Sequence, residues 1–147
     1  GGFSTYESST GSVKNVVLKG CKVTGFYNLG GLIGSMSYGK IEDCIIQDTM
    51  GSNSSAIMGG LVGITYESEN SWIMGCEVNT VISGHNDIGG LVGINRTKII
   101  NCRVKINMSR VSAASDRQGA FAGQNYSEIS PGPRRSHKYS LLLLFDV

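Results

Sequence analysis

Four cysteines are the residues whose type and spacing most invite a chemical interpretation. Each lies in a string of an apolar residue, two variable residues, the cysteine, one variable residue and an aliphatic β-branched residue. The strings cover residues 18–23, 41–46, 73–78 and 99–104, with the cysteines at Cys21, Cys44, Cys76 and Cys102. All four thiols therefore occupy one phase of a repeated pattern.

A column of equivalent cysteines favours buried free thiols over a disulfide or a metal site. Residues stacked on adjacent parallel strands lie about 4.8 Å apart and have parallel Cα–Cβ bonds. A disulfide requires Cβ atoms about 3.8 Å apart on converging bonds, and zinc ligands must converge on one point. We predict that these thiols act as small apolar side chains.

The carboxylates and histidines form no catalytic pattern. Cleavage of a polysaccharide requires two converging carboxylates or a carboxylate group held by calcium. The acidic residues of the repeats are instead scattered, and include Glu42, Asp43, Glu67, Glu69, Glu77 and Asp87. His85 and His137 are the only histidines, and neither belongs to a His-Glu-x-x-His zinc peptidase string. We therefore expect no catalytic residue, no metal and no cofactor.

A glycine-rich block looks like a phosphate-binding loop but recurs too often to be one. Full copies occupy residues 30–34, 59–63 and 89–93, and degenerate copies start at Gly1 and Gly119. Successive copies begin 29, 29, 30 and 30 residues apart. A phosphate loop occurs once and is followed by a helix. A fixed period of this size is typical of repeats that stack to bury a shared core.

Alternation of apolar and polar residues indicates strands within each period. Cys102, Val104, Ile106 and Met108 share one parity, with Arg103, Lys105 and Asn107 between them. Equivalent strands one coil apart run in the same direction. We therefore predict an all-β chain, a parallel β-helix (β-solenoid) of about four coils with a 29–30 residue period. Each coil has room for two or three short strands.

The centre of the glycine block presents two consecutive apolar residues. Leu32 and Ile33 would point to opposite faces of a regular strand. Either one of these faces is covered by another part of the molecule, or the chain bends at the flanking glycines. The residues leave both interpretations open.

Aromatic residues near the corners are the candidates for contact with a partner. The distance between the glycine block and the cysteine string varies, which predicts loops at residues 35–40, 48–57 and 65–72. Tyr38, Tyr66 and Tyr126 follow the glycine blocks, and Trp72 ends the last of these loops. A shared binding patch is one hypothesis for them. For Trp72 the alternative is a cap on the core at a corner.

The chain divides into residues 1–130, the repeat region, and residues 131–147, which follow no repeat rule. Residues 1–130 carry ten basic and ten acidic side chains, so charge gives no case for nucleic acid or an anionic membrane. The apolar run at residues 141–145 is far too short to span a bilayer. The tail is either a cap with one closing strand or a stretch foreign to the repeats. Because the sequence opens inside a repeat, we expect a piece of a longer chain.

The glycine block followed by the cysteine string resembles the GLUG-motif repeats of large bacterial surface proteins. The strongest copies are Gly-Gly-Leu-Val-Gly at residues 59–63 and 89–93, and Ile-x-Asn-Cys-x-Val at residues 99–104. GLUG repeats occur in filamentous-haemagglutinin-like adhesins and in the non-catalytic part of immunoglobulin A peptidases. The resemblance implies a secreted or surface-anchored stalk or binding surface, with neighbouring repeats and a host glycan or extracellular protein as partners. The alternative function is a fragment of a carbohydrate-active β-helix enzyme, a lyase or glycosidase.

Overall fold

The computed structural model describes residues 11–53, 56–110, 117–130 and 143–144, and their regular structure is entirely β-strand. The first coil contains β1 (Ser12–Lys14), β2 (Val17–Thr24), β3 (Leu29–Gly30) and β4 (Ile33–Met36). The second contains β5 (Lys40–Glu42), β6 (Ile45–Gly51), β7 (Met58–Gly59) and β8 (Val62–Thr65). The third contains β9 (Trp72–Met74), β10 (Glu77–Gly84), β11 (Asp87–Gly89) and β12 (Val92–Asn95). The fourth contains β13 (Lys98–Ile100), β14 (Arg103–Arg110), β15 (Arg117–Gly119) and β16 (Ala122–Asn125), and β17 (Ile129–Ser130) and β18 (Leu143–Leu144) follow.

Equivalent strands of successive coils pair into four parallel sheets. Sheet A has the order β1-β5-β9-β13-β17, and sheet B has the order β2-β6-β10-β14-β18. Sheet C consists of β3, β7, β11 and β15, and sheet D of β4, β8, β12 and β16. This arrangement confirms the predicted parallel β-solenoid of about four coils. The described part of the chain contains no helix that could span a lipid bilayer.

Sheet B supplies one wall of the core by strict alternation. In β10, Val78, Thr80 and Ile82 are buried, while Asn79 and Val81 between them are exposed. The predicted alternation in β14 is confirmed in the same way. Because β6, β10 and β14 pair residue for residue, each buried side chain lies directly above its equivalent in the next coil.

The glycine block bends the chain, which places both of its apolar residues in the core. Leu61 and Val62 are each 0% exposed, and the N–H groups of both donate to the carbonyl of Leu91 in the next coil. Of the two interpretations that the sequence left open, a covered face or a bend at the flanking glycines, the structure shows the bend. It also separates sheet C from sheet D, so each coil has four strands rather than the predicted two or three.

The second glycine of the block lies where no side chain fits. A Cβ atom on Gly60 would lie 2.3 Å from the Gly90 carbonyl oxygen and 2.6 Å from Val78 Cγ1. These distances are far below van der Waals contact, and one of the obstructing atoms belongs to the backbone. The glycine column therefore sets how closely the block packs on sheet B.

Replacement of Gly60 by alanine is expected to destabilise the solenoid strongly. The methyl group would force neighbouring coils apart, so we expect Gly60→Ala to lower the free energy of unfolding by about 3 kcal/mol or more. Gly51→Ala is the control, because the nearest atom to its Cβ would be 3.9 Å away, and it should change stability by less than about 1 kcal/mol. Urea denaturation measures both. Equal effects of the two changes would contradict this account of the block.

Three cysteines form a ladder of free thiols between sheets A and B. Cys44, Cys76 and Cys102 stack in successive coils, with each sulfur 3.3–3.4 Å from the carbonyl oxygen two residues earlier in the chain. All four cysteines of the chain are free, as predicted. Burial raises the pKa of the Cys44 thiol, so this thiol remains protonated and behaves as a small apolar group.

Cys21 does not belong to this ladder, contrary to the sequence prediction. A register shift between Lys19 and Cys21 makes Cys21 pair with Asp48 in the next coil. Val16 takes the cysteine's place in the first coil and accepts the equivalent inter-coil hydrogen bond, from the N–H of Ile45. The prediction was wrong because the first-coil equivalent of residues 41–44 is residues 13–16, so Cys21 lies further along the chain, within β2.

Asp48 is a carboxylate without a partner inside the core. It is 7% exposed, and neither carboxylate oxygen has a hydrogen bond within the described structure. Thr80, its register partner in β10, has an unpaired buried hydroxyl as well. Gly31 packs so closely that a Cβ atom there would lie 2.2 Å from Asp48 Oδ2. Burial raises the pKa of Asp48, and the neighbouring Thr80 hydroxyl offsets only part of this shift.

The raised pKa of Asp48 predicts a stability that falls as the pH rises. The folded protein holds this proton more tightly than the unfolded chain, whose aspartate pKa is about 3.9. The contribution of Asp48 is therefore fully favourable below about pH 4 and is lost as the pH rises through the folded-state pKa. Relative to the parent, Asp48→Asn should gain about 1–3 kcal/mol in free energy of unfolding between about pH 4 and pH 7.

The control for this pH dependence is Asp43→Asn. Asp43 is exposed, and asparagine occupies the same position in the first and fourth coils as Asn15 and Asn101. Urea denaturation across the pH range should show that the difference in stability between Asp48→Asn and the parent grows as the pH rises, and Asp43→Asn measures the effect of removing an exposed carboxylate. A constant difference would mean that Asp48 does not titrate abnormally.

Candidate functional site

The corner between sheets D and A carries one long loop beside short ones. In the third coil β12 ends at Asn95 and β13 begins at Lys98, so only Arg96 and Thr97 turn the corner. Between β8 and β9 the corresponding connection is residues 66–71. The predicted loop at residues 65–72 is thus confirmed, and its additional residues form a wall beside an otherwise tight corner.

A buried polar ladder holds the inside of this corner. Asn95 is fully buried, and its amide nitrogen donates to Asn125 Oδ1 and to the Thr97 carbonyl, both at 2.8 Å. Its amide oxygen accepts from Thr65 Oγ1 and from the N–H of Thr97, both at 3.2 Å. The Thr65 hydroxyl in turn accepts from the N–H of Arg96 at 2.8 Å. These bonds satisfy every donor and acceptor of the Asn95 amide.

An exposed ladder runs along the outside of the same corner. Its members in successive coils are the half-buried Ser37 and the exposed Tyr66, Arg96 and Tyr126. The N–H of Tyr66 donates to the Met36 carbonyl, and the N–H of Tyr126 donates to the Asn95 carbonyl, both at 2.9 Å. The Arg96 guanidinium lies over the Tyr126 ring, with Cζ 5.1 Å from the ring centroid. The cation thus stacks on the tyrosine of the next coil.

A groove of about 320 Å³ lies between this ladder and the long loop. Its lining consists of Glu67, Ser68, Glu69, Arg96, Thr97, Lys98, Tyr126 and Ser127. Two side chains are acidic and two are basic, so the lining has no net formal charge. The groove is therefore polar and charged rather than apolar.

The opposite charges of the groove do not pair with each other. Among the described residues, no ion pair within 4.0 Å involves Arg96 or Lys98. The buried Asp87 shows the contrast, because Arg117 binds both of its oxygens and Gln124 donates a further hydrogen bond. The groove therefore keeps its charged donors and acceptors available.

Trp72 flanks the groove on the outer face of sheet A. It pairs in register with Lys98 on one side and Lys40 on the other. The indole N–H donates to Glu42 Oε1 at 2.7 Å, and the Lys40 ammonium lies 3.9 Å from the ring centroid. Hydrogen bonds from Lys14 and Trp72 lower the pKa of Glu42. Trp72 is thus a half-buried side chain on the outer face of sheet A. It does not cap the core at a corner, which was the alternative interpretation of this residue.

The predicted aromatic residues lie at different distances from the groove. Tyr126 lines it directly. Tyr66 belongs to the exposed ladder at the start of the long loop, and Trp72 ends that loop beside Lys98. Tyr38 follows Ser37 in the first corner and is not part of the groove lining.

The charged residues of the groove are the functional candidates that the sequence did not single out. They are Glu67, Glu69, Arg96 and Lys98. A usable signal was present, because Tyr66 follows Gly60, Arg96 follows Gly90 and Tyr126 follows Ala120, each by six residues. That shared offset predicts one ladder and would have placed Arg96 between the two tyrosines.

The described residues contain no group of three histidine, cysteine, aspartate or glutamate side chains that could hold a metal ion. Comparisons with known protein families, with curated proteins and with solved structures gave no match.

Loss of the Asn95 amide is expected to destabilise the corner that supports the groove. Asn95→Ala would leave buried partners, including the Thr97 N–H, without hydrogen bonds, and we expect a loss of at least about 2 kcal/mol in the free energy of unfolding. Asn79→Ala is the matched control, because Asn79 lies on the exposed face of sheet B, and its effect should stay within about 0.5 kcal/mol. Chemical denaturation measures both, and equal losses would contradict a structural role for the ladder.

Proposed function

We propose that this chain is a structural and adhesive repeat segment of a secreted or surface-anchored bacterial protein. The observation that carries this proposal is an open, charged groove on one corner of an otherwise regular stack of coils. The coils supply rigidity and length, and the groove supplies a surface for a partner. The resemblance to GLUG-motif repeats of surface adhesins supports the same function.

The stalk role follows from the way the coils stack. Each coil adds about 4.8 Å along the axis through backbone hydrogen bonds, and the same buried columns continue from coil to coil. A stack of this kind lengthens by repetition without a new fold. The GLUG-like blocks serve this role through their glycines, which allow neighbouring coils to pack closely.

The adhesive role is assigned to the corner between sheets D and A. Loops that vary against a regular scaffold are the usual location of binding residues. Residues 66–71 form such a loop, and the groove beside them has available donors and acceptors of both charges. A host glycan or an extracellular protein is the partner expected for such a surface.

The carbohydrate-active enzyme remains the second candidate, because Glu67 and Glu69 line the same groove. Glycosidases need two carboxylates whose environments differ, so that one is protonated while the other is ionised. Both glutamates are exposed on one loop, so burial does not distinguish them. We therefore favour binding without turnover.

An array of glycans and extracellular-matrix proteins tests this proposal. We expect the intact chain to bind at least one component saturably, and we expect substitutions in the groove to weaken that binding. A Tyr27→Ala variant is the control, because Tyr27 is 83% exposed in the first coil and belongs to a different corner. The absence of any saturable binding would contradict the adhesive role, and release of reducing ends from a polysaccharide would favour the enzyme.

A further inference from the structure

We infer that the groove at the corner of sheets D and A is a binding site for an uncharged, hydroxyl-rich glycan. This inference rests on the proposed adhesive function and names the class of its ligand. Two features carry it: balanced unpaired charges and a restrained but exposed aromatic ring.

The balanced charges suit hydroxyl groups. A sugar hydroxyl donates one hydrogen bond and accepts others, so neighbouring hydroxyls can donate to Glu67 or Glu69 while accepting from Arg96 or Lys98. Hydrogen bonds to charged groups are about twice as strong as those between neutral groups. An acidic ligand would gain from the two cations but would be repelled by the two glutamates. The lining therefore favours a ligand without net charge.

Tyr126 provides a surface for the apolar face of a sugar ring. The side chain is 65% exposed, yet its hydroxyl donates to Gln124 Oε1 and its ring packs against the Arg96 guanidinium. These contacts restrain the ring before a ligand arrives, which reduces the entropy lost on binding. An exposed and restrained ring of this kind offers the C–H groups of a sugar a flat contact area.

The lining of the groove argues against a helical peptide ligand. Helical peptides bind through an apolar face in apolar grooves, whereas this lining is dominated by charged and hydroxyl side chains. The strands beside the long loop, β8, β9, β12 and β13, each pair with a strand on both sides. An extended peptide therefore cannot add to any of these four strands, although β16 and β17 are the last strands of their sheets in the described structure.

The test is calorimetric titration of the intact chain with tetrasaccharides. The neutral probes are tetramers of glucose, galactose, mannose and N-acetylglucosamine, and tetragalacturonate is the acidic probe. We expect saturable binding of at least one neutral probe. Its affinity should change less than about twofold between about 50 and 500 mM salt, because the ligand carries no charge to be screened.

Two variants assign this binding to the groove. Tyr126→Ala should weaken the neutral probe about tenfold or more through loss of the stacked ring. Glu67→Gln keeps the shape of the side chain but removes its charge, and should weaken binding about fivefold. Tyr27→Ala should bind like the parent, and thermal unfolding should show that all three variants are folded.

The outcomes separate this inference from the function on which it rests. The inference would be overturned if no neutral tetrasaccharide bound at concentrations up to about 10 mM, because any weaker affinity is below that of specific recognition. Preferential binding of tetragalacturonate, or a Tyr126→Ala variant that binds like the parent, would also overturn it. If an array protein still bound through the groove, the adhesive function would stand and the ligand class would be wrong. Binding to nothing at all would defeat both.

Discussion

Parallel hydrogen bonding between coils is the constraint on which the rest of this structure depends. Every strand in the middle coils pairs on both sides, so each residue lies directly above its equivalent. A side chain that recurs at one position of the repeat must therefore be able to pack against the equivalent side chain of the next coil. Apolar columns such as Ile41 and Ile73 meet this requirement easily, and so does a column of glycines. A charged residue meets it only outside the core, or with a partner of another type in the next coil, as Asp87 does with Arg117.

Backbone pairing and backbone conformation explain which parts of the fold could be predicted from the sequence and which could not. The period and the alternation of β10 and β14 are encoded by residue type and spacing, so the solenoid could be predicted. The register of the first coil was predicted wrongly because the cysteine was used alone to mark the position. The residue before the cysteine position also has positive φ in each coil. These residues are Asn15, Asp43, Gly75 and Asn101, with φ values of 56°, 53°, 66° and 50°. Gly20 also has positive φ, 68°, and precedes Cys21, so the bulge imitates the true pattern.

The candidate site was less predictable because it arises from a difference between coils. Tyr66 and Tyr126 could be placed on one ladder from their offsets, and the asparagines that support the corner recur at Asn95 and Asn125. The groove itself depends on the path of residues 66–71, which has no counterpart of the same length in the next coil. Repetition carries no information about such an insertion. Glu67 and Glu69 are therefore candidate site residues because of the neighbouring corner they face, and not because of the repeat pattern.

Function in a periodic molecule is thus expected where its columns stop repeating. A column that packs the core is largely restricted to apolar residues of compatible size, because each member contacts the next. The exposed ladder at the corner is free of that requirement and contains a serine, two tyrosines and an arginine. Asp48 shows the opposite case, since it breaks a core column and has no partner for its carboxylate. An irregularity that destabilises the interior at neutral pH costs little at the surface, where the long loop forms a groove that no single coil contains.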